Sequence, residues 1–490
     1  MNDLLKLSAV ALRQQLQNKQ CTSEEVTKAY IARIEQSRVL NAYVFDNFDK
    51  AIEQAKASDQ RYAKGEALAL DGLPLGIKDL FCTKDLRTTA ASKILSNYVP
   101  PFESTVTQNL WNKGALCLGK LNMDEFAMGS TNQNSYWGPV ISPWKKKSNP
   151  TQSLVPGGSS GGSSAAVSAH LCVAALGSDT GGSIRQPAAF CGLVGIKPTY
   201  GRCSRYGMVA FASSLDQAGP ITRSVADAAL ILESISGYDL KDATTENKAV
   251  EQFSKNLNTN IKGLKVGVPY HLLEGLKPEI KANFEQSITW LKEAGAEVVD
   301  VTINLASYAL ATYYIIAPAE ASSNLSRYDG LRYGVRIEGE TLDDMYTRTR
   351  SDGFGEEVQR RILIGTYVLS SGFYDAYYSK AQKVRQAIKY EFKKAFESVD
   401  VICTPTTPSA AFGLDESPKD PVQMYLNDIF TVTANIAGLP AISVPSGLTS
   451  EELPLGFQII GRHFDEQTIL NAGLVIEQSA KFNLPFKEIF

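Results

Sequence analysis

Two clusters of glycine and hydroxyl residues are the parts of this sequence best suited to chemistry. The first reads GGSSGGSS over residues 157–164, and the second reads SDTGGSIRQP over residues 178–187. Gly181 and Gly182 have no side chain that would stop a substrate carbonyl from approaching the backbone N–H groups of the loop. Ser183 follows directly and would present its hydroxyl beside them. The pattern favours acyl transfer at an oxyanion hole.

Other interpretations of these clusters are open. A flexible linker is the simplest reading of GGSSGGSS, but the stretch leads into AAVSAH, which is typical of a closely packed helix with a donor loop at its start. A phosphate-binding P-loop needs a lysine directly after its last glycine, and neither cluster has one. Ser183 could also be a helix N-cap. A non-catalytic scaffold, whose glycine loops only pack or bind a partner, stays possible.

Lys78 is a candidate general base. It lies in LPLGIKDLF, an apolar run predicted to be a strand, where an ammonium group is costly unless it is paired or neutral. Lowering a lysine pKa from its reference value to near 7 costs roughly 4–5 kcal/mol, which burial can impose. A neutral Lys78 could accept a serine proton. The alternative is a strand-end lysine whose ammonium reaches water.

A histidine-dependent hydrolase is the competing catalytic hypothesis. Residues 157–161 match GxSxG, which would make Ser159 the nucleophile and His463, in IIGRHFDE, the base. The residues before Gly157 form a polar, proline-containing loop instead of the strand that this motif requires. The hypothesis predicts that activity depends on His463 and tolerates the loss of Lys78.

Elements of an α/β protein surround these residues. The first 60 residues have helical spacing, and short apolar runs bounded by glycine then alternate with helix-like stretches. No proline-rich or Gly/Ser linker separates independent domains. We expect one domain over residues 1–490, with the segments that follow. They are an N-terminal helical segment (1–65), an α/β core (66–304 and 399–490) and a helical insertion (305–398).

Composition excludes several classes of protein. The 490 residues are 44% hydrophobic and 21% charged, which is globular and neither disordered nor fibrous. Lys and Arg number 49 against 52 Asp and Glu, so the net charge of -3 provides no general attraction for nucleic acid. No stretch approaches the roughly 18 apolar residues of a membrane span. Seven scattered cysteines without a CxxC argue against disulfides and zinc, and favour the cytoplasm and no metal.

Long motifs resemble the amidase signature family. They are GIKD (76–79), GGSSGGSSAA (157–166) and GSDTGGSIRQPAAFCGLVGIKPTYGRCSRYG (177–207). Four further segments are similar to the glutaminase subunits of tRNA-dependent amidotransferases within that family: DEFAMGSTNQNS (124–135), ASSNLSRYDGLRYG (321–334), LSSGFYDAYY (369–378) and TANIAGLPAISVPSG (433–447). The similarity spans the chain and implies a mixed central β-sheet covered by helices on both faces.

The resemblance implies a Ser-cis-Ser-Lys mechanism and a set of substrate contacts. Ser183 would be the nucleophile, Ser159, after a cis peptide bond, the bridging serine, and Lys78 the base. The oxyanion hole would consist of Thr180, Gly181, Gly182 and Ser183. The substrate residues would be Gly129, Ser130, Tyr313, Tyr314, Arg361 and Asp428. A guanidinium pairs well with an α-carboxylate and an aspartate with an α-ammonium, although Arg360 is an equally charged neighbour.

The implied function is glutamine hydrolysis that supplies ammonia for converting Glu-tRNA(Gln) to Gln-tRNA(Gln). The implied partners are the B and C subunits of the amidotransferase in a heterotrimer, with tRNA held mainly by the B subunit. ATP and Mg²⁺ would be used at the partner subunit, whereas this chain would need no cofactor. A stand-alone amidase acting on another small amide is the alternative. Lys145, Lys146 and Lys147 lie in a loop that looks longer than the family's usual connection, and we expect it to be solvated and not to contact RNA.

Overall fold

An eleven-stranded mixed sheet organises the protein, which the computed structural model describes over residues 2–417 and 424–486. The strands are β1 (Tyr43–Asp46), β2 (Pro74–Lys78), β3 (Leu116–Leu121), β4 (Ala174–Asp179), β5 (Val194–Lys197), β6 (Gln217–Thr222), β7 (Lys265–Val268), β8 (Glu297–Asp300), β9 (Val401–Pro405), β10 (Ala441–Leu448) and β11 (Pro454–Gly461). Their order across the sheet is β1-β3-β2-β4-β6-β5-β10-β11-β9-β7-β8. Strands β3, β2 and β4 are parallel, as are β9, β7 and β8, and the remaining neighbours are antiparallel. The predicted α/β class is confirmed.

Helices surround this sheet. They are α1 (Asn2–Lys6), α2 (Ala9–Gln17), α3 (Ser23–Gln36), α4 (Phe48–Lys64), α5 (Thr105–Asn112), α6 (Gly161–Ser168), α7 (Arg185–Phe190), α8 (Val225–Ile235), α9 (Pro278–Glu293), α10 (Ala309–Asn324), α11 (Leu342–Gly353), α12 (Glu356–Leu369), α13 (Lys380–Ala395), α14 (Val432–Ala437) and α15 (Glu466–Ala480). Helices α10 to α13 lie between β8 and β9 in sequence. They supply residues to the site described below, and the division of the chain into segments stays a prediction.

Helix α3 shows how local sequence sets an element. The Thr22 hydroxyl accepts the Glu25 N–H at 3.1 Å, and the Glu25 carboxylate accepts the Thr22 N–H at 2.9 Å. This reciprocal pair satisfies two N–H groups that a helix start leaves without partners. Val26, Tyr30 and Ile34, four residues apart, are buried on one face.

The sequence patterns do not predict two of the strands. Strand β1 lies within the segment expected to be helical, where it pairs antiparallel with β3 at the sheet edge. Strand β6 contains Gly219 and Pro220, both of which disfavour strands. The glycine is required because a Cβ there would lie 2.2 Å from the Ile196 carbonyl oxygen of the adjacent strand. Pairing with β4 and β5 on either side, and not propensity, makes β6 a strand.

The lysine-rich loop is held against the C-terminal half of the chain. Lys146 forms an ion pair with Glu416 at 2.8 Å, and Lys147 forms one with Glu452 at 3.0 Å. Exposed pairs of this kind contribute little stability, typically below about 1 kcal/mol. Protein carboxylates therefore account for two of the three positive charges.

The part of the chain that the structure describes has neither a membrane-spanning helix nor a cluster of metal ligands. There, no helix combines the length and apolar character needed to cross a membrane. The same residues contain no group of three or more His, Cys, Asp or Glu side chains able to hold a metal ion. The seven cysteines are free thiols, and six of them are buried.

Candidate active site

Lys78 ends strand β2 inside the protein, with 0% of its surface exposed. Its Nζ lies 2.7 Å from the Ser159 Oγ, 2.8 Å from the Ser160 Oγ and 2.9 Å from the Ser178 Oγ. Two hydroxyls from the loop before helix α6 and one from strand β4 therefore replace water around the amine. Such satisfaction is needed because an unpaired polar group in the interior is costly.

The protonation state of Lys78 follows from its burial. Burial lowers the pKa of Lys78 to about 7, against the opposing effect of the carboxylates of Asp124, Asp179 and Asp216. At neutral pH a large fraction of the amine is therefore uncharged and has a free lone pair. This is the state that a general base requires.

Hydrogen-bond directions narrow the partners of that lone pair. A neutral amine has two N–H donors and one acceptor, which matches the three contacts of Lys78. The Ser160 hydroxyl donates to the Ser178 carbonyl at 3.2 Å, so it accepts from Lys78. The lone pair is left for the hydroxyl of Ser159 or Ser178. A proton path from Ser159 to Lys78 is thus available.

Ser159 lies in a tightly packed loop directly before helix α6. The peptide bond between Gly158 and Ser159 is cis, as the family resemblance implies. The Gly158 N–H donates to the Gln186 Oε1 at 2.9 Å, and the Ser159 carbonyl accepts the Asp124 N–H at 3.1 Å. A Cβ at position 158 would lie 2.2 Å from the Asp124 Oδ2, so only glycine fits. Burial raises the pKa of the Asp124 carboxyl to about 6.

A buried ion pair holds the second glycine loop. Asp179 and Arg185 are both fully buried and bond bidentately at 3.0 Å. Asp179 also accepts the Ile184 N–H at 3.2 Å and the Asn435 amide at 2.8 Å. Burial alone would raise the pKa of Asp179, but Arg185 holds it below the usual value. Residues 179–185 are therefore fixed at both ends.

Ser183 lies where the two loops meet. Its carbonyl accepts the Ser160 N–H at 3.3 Å. Ser183 is 8% exposed whereas Ser159 is 0% exposed, so Ser183 is the more accessible of the two serines. A Cβ on Gly181 would lie 2.7 Å from the Tyr313 ring, and one on Gly182 would lie 2.2 Å from the Thr431 Oγ1. Both glycines are thus sterically required.

Arg361 borders a cavity of about 290 Å³ that Gly129 and Ser130 also line. The Arg361 side chain is buried, donates to the Glu357 Oε1 at 2.7 Å and lies over the rings of Tyr314 and Tyr425 at 5.3 Å. Its guanidinium therefore combines an ion pair with cation–π contacts.

The neighbouring arginine differs. Arg360 has a side chain 36% exposed and forms ion pairs with Glu356, at 2.8 Å, and with Glu357. Arg361 is thus the arginine whose position is fixed by packing. Both arginines line the cavity, and a substrate contact of Arg361 stays a prediction.

The remaining predicted substrate residues surround the glycine loop. Asp428 lies next to Gly182, since a Cβ added to that glycine would be 3.3 Å from the Asp428 Oδ1. Burial raises the pKa of the Asp428 carboxyl to about 8. The Tyr313 ring lies against Gly181, whereas Tyr314 stacks on Tyr425 with ring centroids 3.8 Å apart. The two adjacent tyrosines therefore pack against different groups, and their contact with a substrate stays a prediction.

The cavity and the serine loop are joined through one side chain. Ser183 does not line this cavity. Gln186 connects the two regions, because its amide donates to the Ser130 carbonyl at 3.1 Å while its Oε1 accepts the Gly158 N–H. Three other contacting residues lie within the sequence motifs: Ser160, Ser178 and Gln186. A fourth, Thr431, lies just before the motif at 433–447. Sequence reasoning assigned these residues no part, because only their contacts reveal one.

His463 lies elsewhere. It lines a different cavity together with Lys389 and Arg462, whereas the Ser159 hydroxyl contacts Lys78. Burial lowers the pKa of His463 to about 4. The hypothesis of a histidine-dependent Ser159 nucleophile is therefore wrong for this fold, since helix α13 and not the serine loop borders the imidazole.

These features place a buried lysine amine among serine hydroxyls beside a glycine loop, and comparison with known proteins gives the family. The sequence model of the family described as Amidase matches residues 25–470, and the chain belongs to that family. The family expected from the motifs is confirmed.

Within this family, the chain is similar to several named proteins. The A subunit of glutamyl-tRNA(Gln) amidotransferase from Parvibaculum lavamentivorans is 59% identical over 483 residues, which cover 98% of each chain. The crystal structure of the A subunit of glutamyl-tRNA(Gln) amidotransferase from Thermotoga maritima is 41% identical with a TM-score of 0.78, over 98% of this chain and 95% of that chain. The native peptide amidase from Stenotrophomonas maltophilia is 28% identical with a TM-score of 0.79, over 97% of each chain.

Proposed function

We propose that this chain is the glutamine-hydrolysing A subunit of a glutamyl-tRNA(Gln) amidotransferase, with Ser183, Ser159 and Lys78 as its catalytic residues. The observation that carries the chemistry is the 2.7 Å contact between the Lys78 amine and the Ser159 hydroxyl in a fully buried setting. The 59% identity to a full-length relative with that name supports the biological role.

In the proposed acylation step, Ser183 Oγ attacks the side-chain amide carbon of glutamine while its proton passes to Ser159. Ser159 passes its own proton to the neutral Lys78 amine. The N–H groups of Thr180, Gly181, Gly182 and Ser183 stabilise the negative charge on the carbonyl oxygen. Return of a proton to the amide nitrogen releases ammonia and leaves an ester on Ser183.

Water completes the cycle. The same relay removes a proton from a water molecule, which attacks the ester carbon. The bond to Ser183 then breaks, glutamate leaves, and the serine hydroxyl regains its proton. No metal or cofactor takes part in these steps, and we propose that this chain needs none.

Recognition of a free amino acid is assigned to opposite charges. Arg361 would bind the α-carboxylate, and Asp428 would bind the α-ammonium. Burial raises the pKa of the Asp428 carboxyl to about 8, and a bound ammonium would lower this pKa and favour the charged form. Gly129, Ser130, Tyr313 and Tyr314 would complete the walls.

The partners follow from the proposed role. The B and C subunits would form a heterotrimer with this chain in the cytoplasm, and ammonia would pass to the B subunit. ATP and Mg²⁺ would act there on Glu-tRNA(Gln), which the B subunit would mainly hold. A net charge of -3 supports a chain that does not itself attract tRNA.

The test measures ammonia release from glutamine and Gln-tRNA(Gln) formation with the B and C subunits present. Ser183→Ala and Lys78→Ala should each reduce both rates by about 10³-fold or more. Ser164→Ala is a matched control, because Ser164 is a buried serine of helix α6 whose hydroxyl has no partner among the described residues. Full glutamine hydrolysis by Ser183→Ala would refute the mechanism.

A stand-alone amidase is the second candidate, favoured by the fold similarity to a peptide amidase. It would hydrolyse varied amides at full rate without partners and would not bind the B and C subunits. Size-exclusion chromatography with these two partners separates the candidates.

A further inference from the structure

A second cavity, of about 630 Å³, lies between helix α13 and the residues that follow strand β11. Its walls include the rings of Tyr390, Phe392 and Phe396 and the side chain of Leu439. Tyr390 is 67% exposed, so a large ring stands at its mouth. Volumes of this size are typical of sites for small organic ligands. No residue lining it is shared with the cavity at Arg361.

The polar part of this cavity is cationic. Lys389, Lys393 and Arg462 line it, and among its described lining residues there is no carboxylate. Arg462 is paired with Asp400 at 2.9 Å. Lys389 and Lys393 form no ion pair with any residue that the structure describes. Two uncompensated ammonium groups therefore stand beside an apolar wall.

Arg385 and Lys197 place further positive charge near the cavity. Burial and the nearby Arg385 lower the pKa of Lys389. Burial, followed by Lys389 and Lys197, lowers the pKa of His463 to about 4. The imidazole is therefore neutral at pH 7 and can offer a hydrogen bond without competing for an anion. Cations that repel one another favour a negatively charged guest.

We propose that this cavity is a binding site for an amphipathic anion, a small molecule with a carboxylate or phosphate head on an aliphatic or aromatic body. The head would bind Lys389 and Lys393, and the body would cover Phe396 and Leu439. Apolar surface removed from water and a charge-assisted pair would both contribute to affinity. This proposal does not depend on the proposed glutaminase function.

The test titrates the purified full-length chain with decanoate by isothermal calorimetry. Two probes separate the contributions: acetate has the head alone, and decyltrimethylammonium has the same body with the opposite charge. We expect decanoate to bind, and acetate and decyltrimethylammonium to bind at least about tenfold more weakly. Decyl phosphate should bind like decanoate, because the site recognises the shared chemistry of both.

Lysine variants locate the site. Lys389→Glu and Lys393→Glu should each weaken decanoate binding about tenfold. Lys394→Glu is the matched control, since this exposed lysine of the same helix does not line the cavity and its replacement changes the net charge equally. Circular dichroism checks that all three variants fold. Absence of decanoate binding, equal binding of decyltrimethylammonium, or equal weakening by Lys394→Glu would overturn the proposal.

Discussion

Replacing Lys78 with methionine should change how stability depends on pH. Methionine keeps an unbranched apolar stem but cannot be protonated. The pKa of Lys78 is lowered from 10.5 to about 7 in the folded protein. Between these values the unfolded chain binds more protons than the folded one, so protonation favours unfolding and stability rises with pH. The Lys78→Met variant lacks this contribution.

The magnitude follows from the shift. At about 1.36 kcal/mol per pH unit, the buried lysine costs about 4 kcal/mol at pH 7 and about 2 kcal/mol at pH 9. Wild type should therefore gain about 2 kcal/mol of unfolding free energy relative to Lys78→Met between pH 7 and pH 9. The variant also loses the three hydrogen bonds of the amine. Their loss changes the unfolding free energy nearly equally at every pH, so it does not affect how the difference between wild type and variant depends on pH.

Urea unfolding at pH 7, 8 and 9 measures this difference. Lys394→Met, at an exposed position of helix α13, is the control and should follow wild type across the range. A difference between wild type and Lys78→Met that stays constant within about 0.5 kcal/mol would refute the reasoning. It would mean that Lys78 keeps its charge when folded, and the proposed base would then be unavailable near neutral pH.

Three further predictions concern rate, binding and packing. Glutamine hydrolysis should fall about tenfold per pH unit below an apparent pKa near 7, because protonated Lys78 cannot accept a proton; a kcat that is flat from pH 5 to 7 would contradict this. Arg361→Lys should raise KM for glutamine about tenfold or more with a smaller effect on kcat, since an ammonium cannot reproduce the bidentate, ring-stacked guanidinium; an unchanged KM in steady-state kinetics would remove Arg361 from substrate binding. Arg185→Met should lower the unfolding free energy by about 3–5 kcal/mol, because it leaves the Asp179 carboxylate buried without its partner; a loss below about 1 kcal/mol in urea unfolding would show that the carboxylate is neutral or solvated.

Sequence patterns predicted the strands that carry their own signal. Short apolar runs bounded by glycine mark strands such as β2, β3 and β4, since buried strands are uniformly apolar. Strand β6 could not be found this way, because Gly219 and Pro220 weaken the pattern while pairing from both sides overrides it. Long-range hydrogen bonding, which no local window contains, makes that segment a strand.

The sequence by itself determined the family and the residue types of the site, because the glycine and serine clusters are contiguous and long enough to be specific. Only the tertiary structure decided which groups meet. Lys78 lies 81 positions from Ser159 and 100 from Ser178, yet its amine contacts both hydroxyls. The structure also distinguishes Arg361, which lies over two tyrosine rings, from its more exposed neighbour Arg360. Burial and distance depend on how strands far apart in the chain assemble, so the lowered pKa of Lys78 exists only in the folded protein.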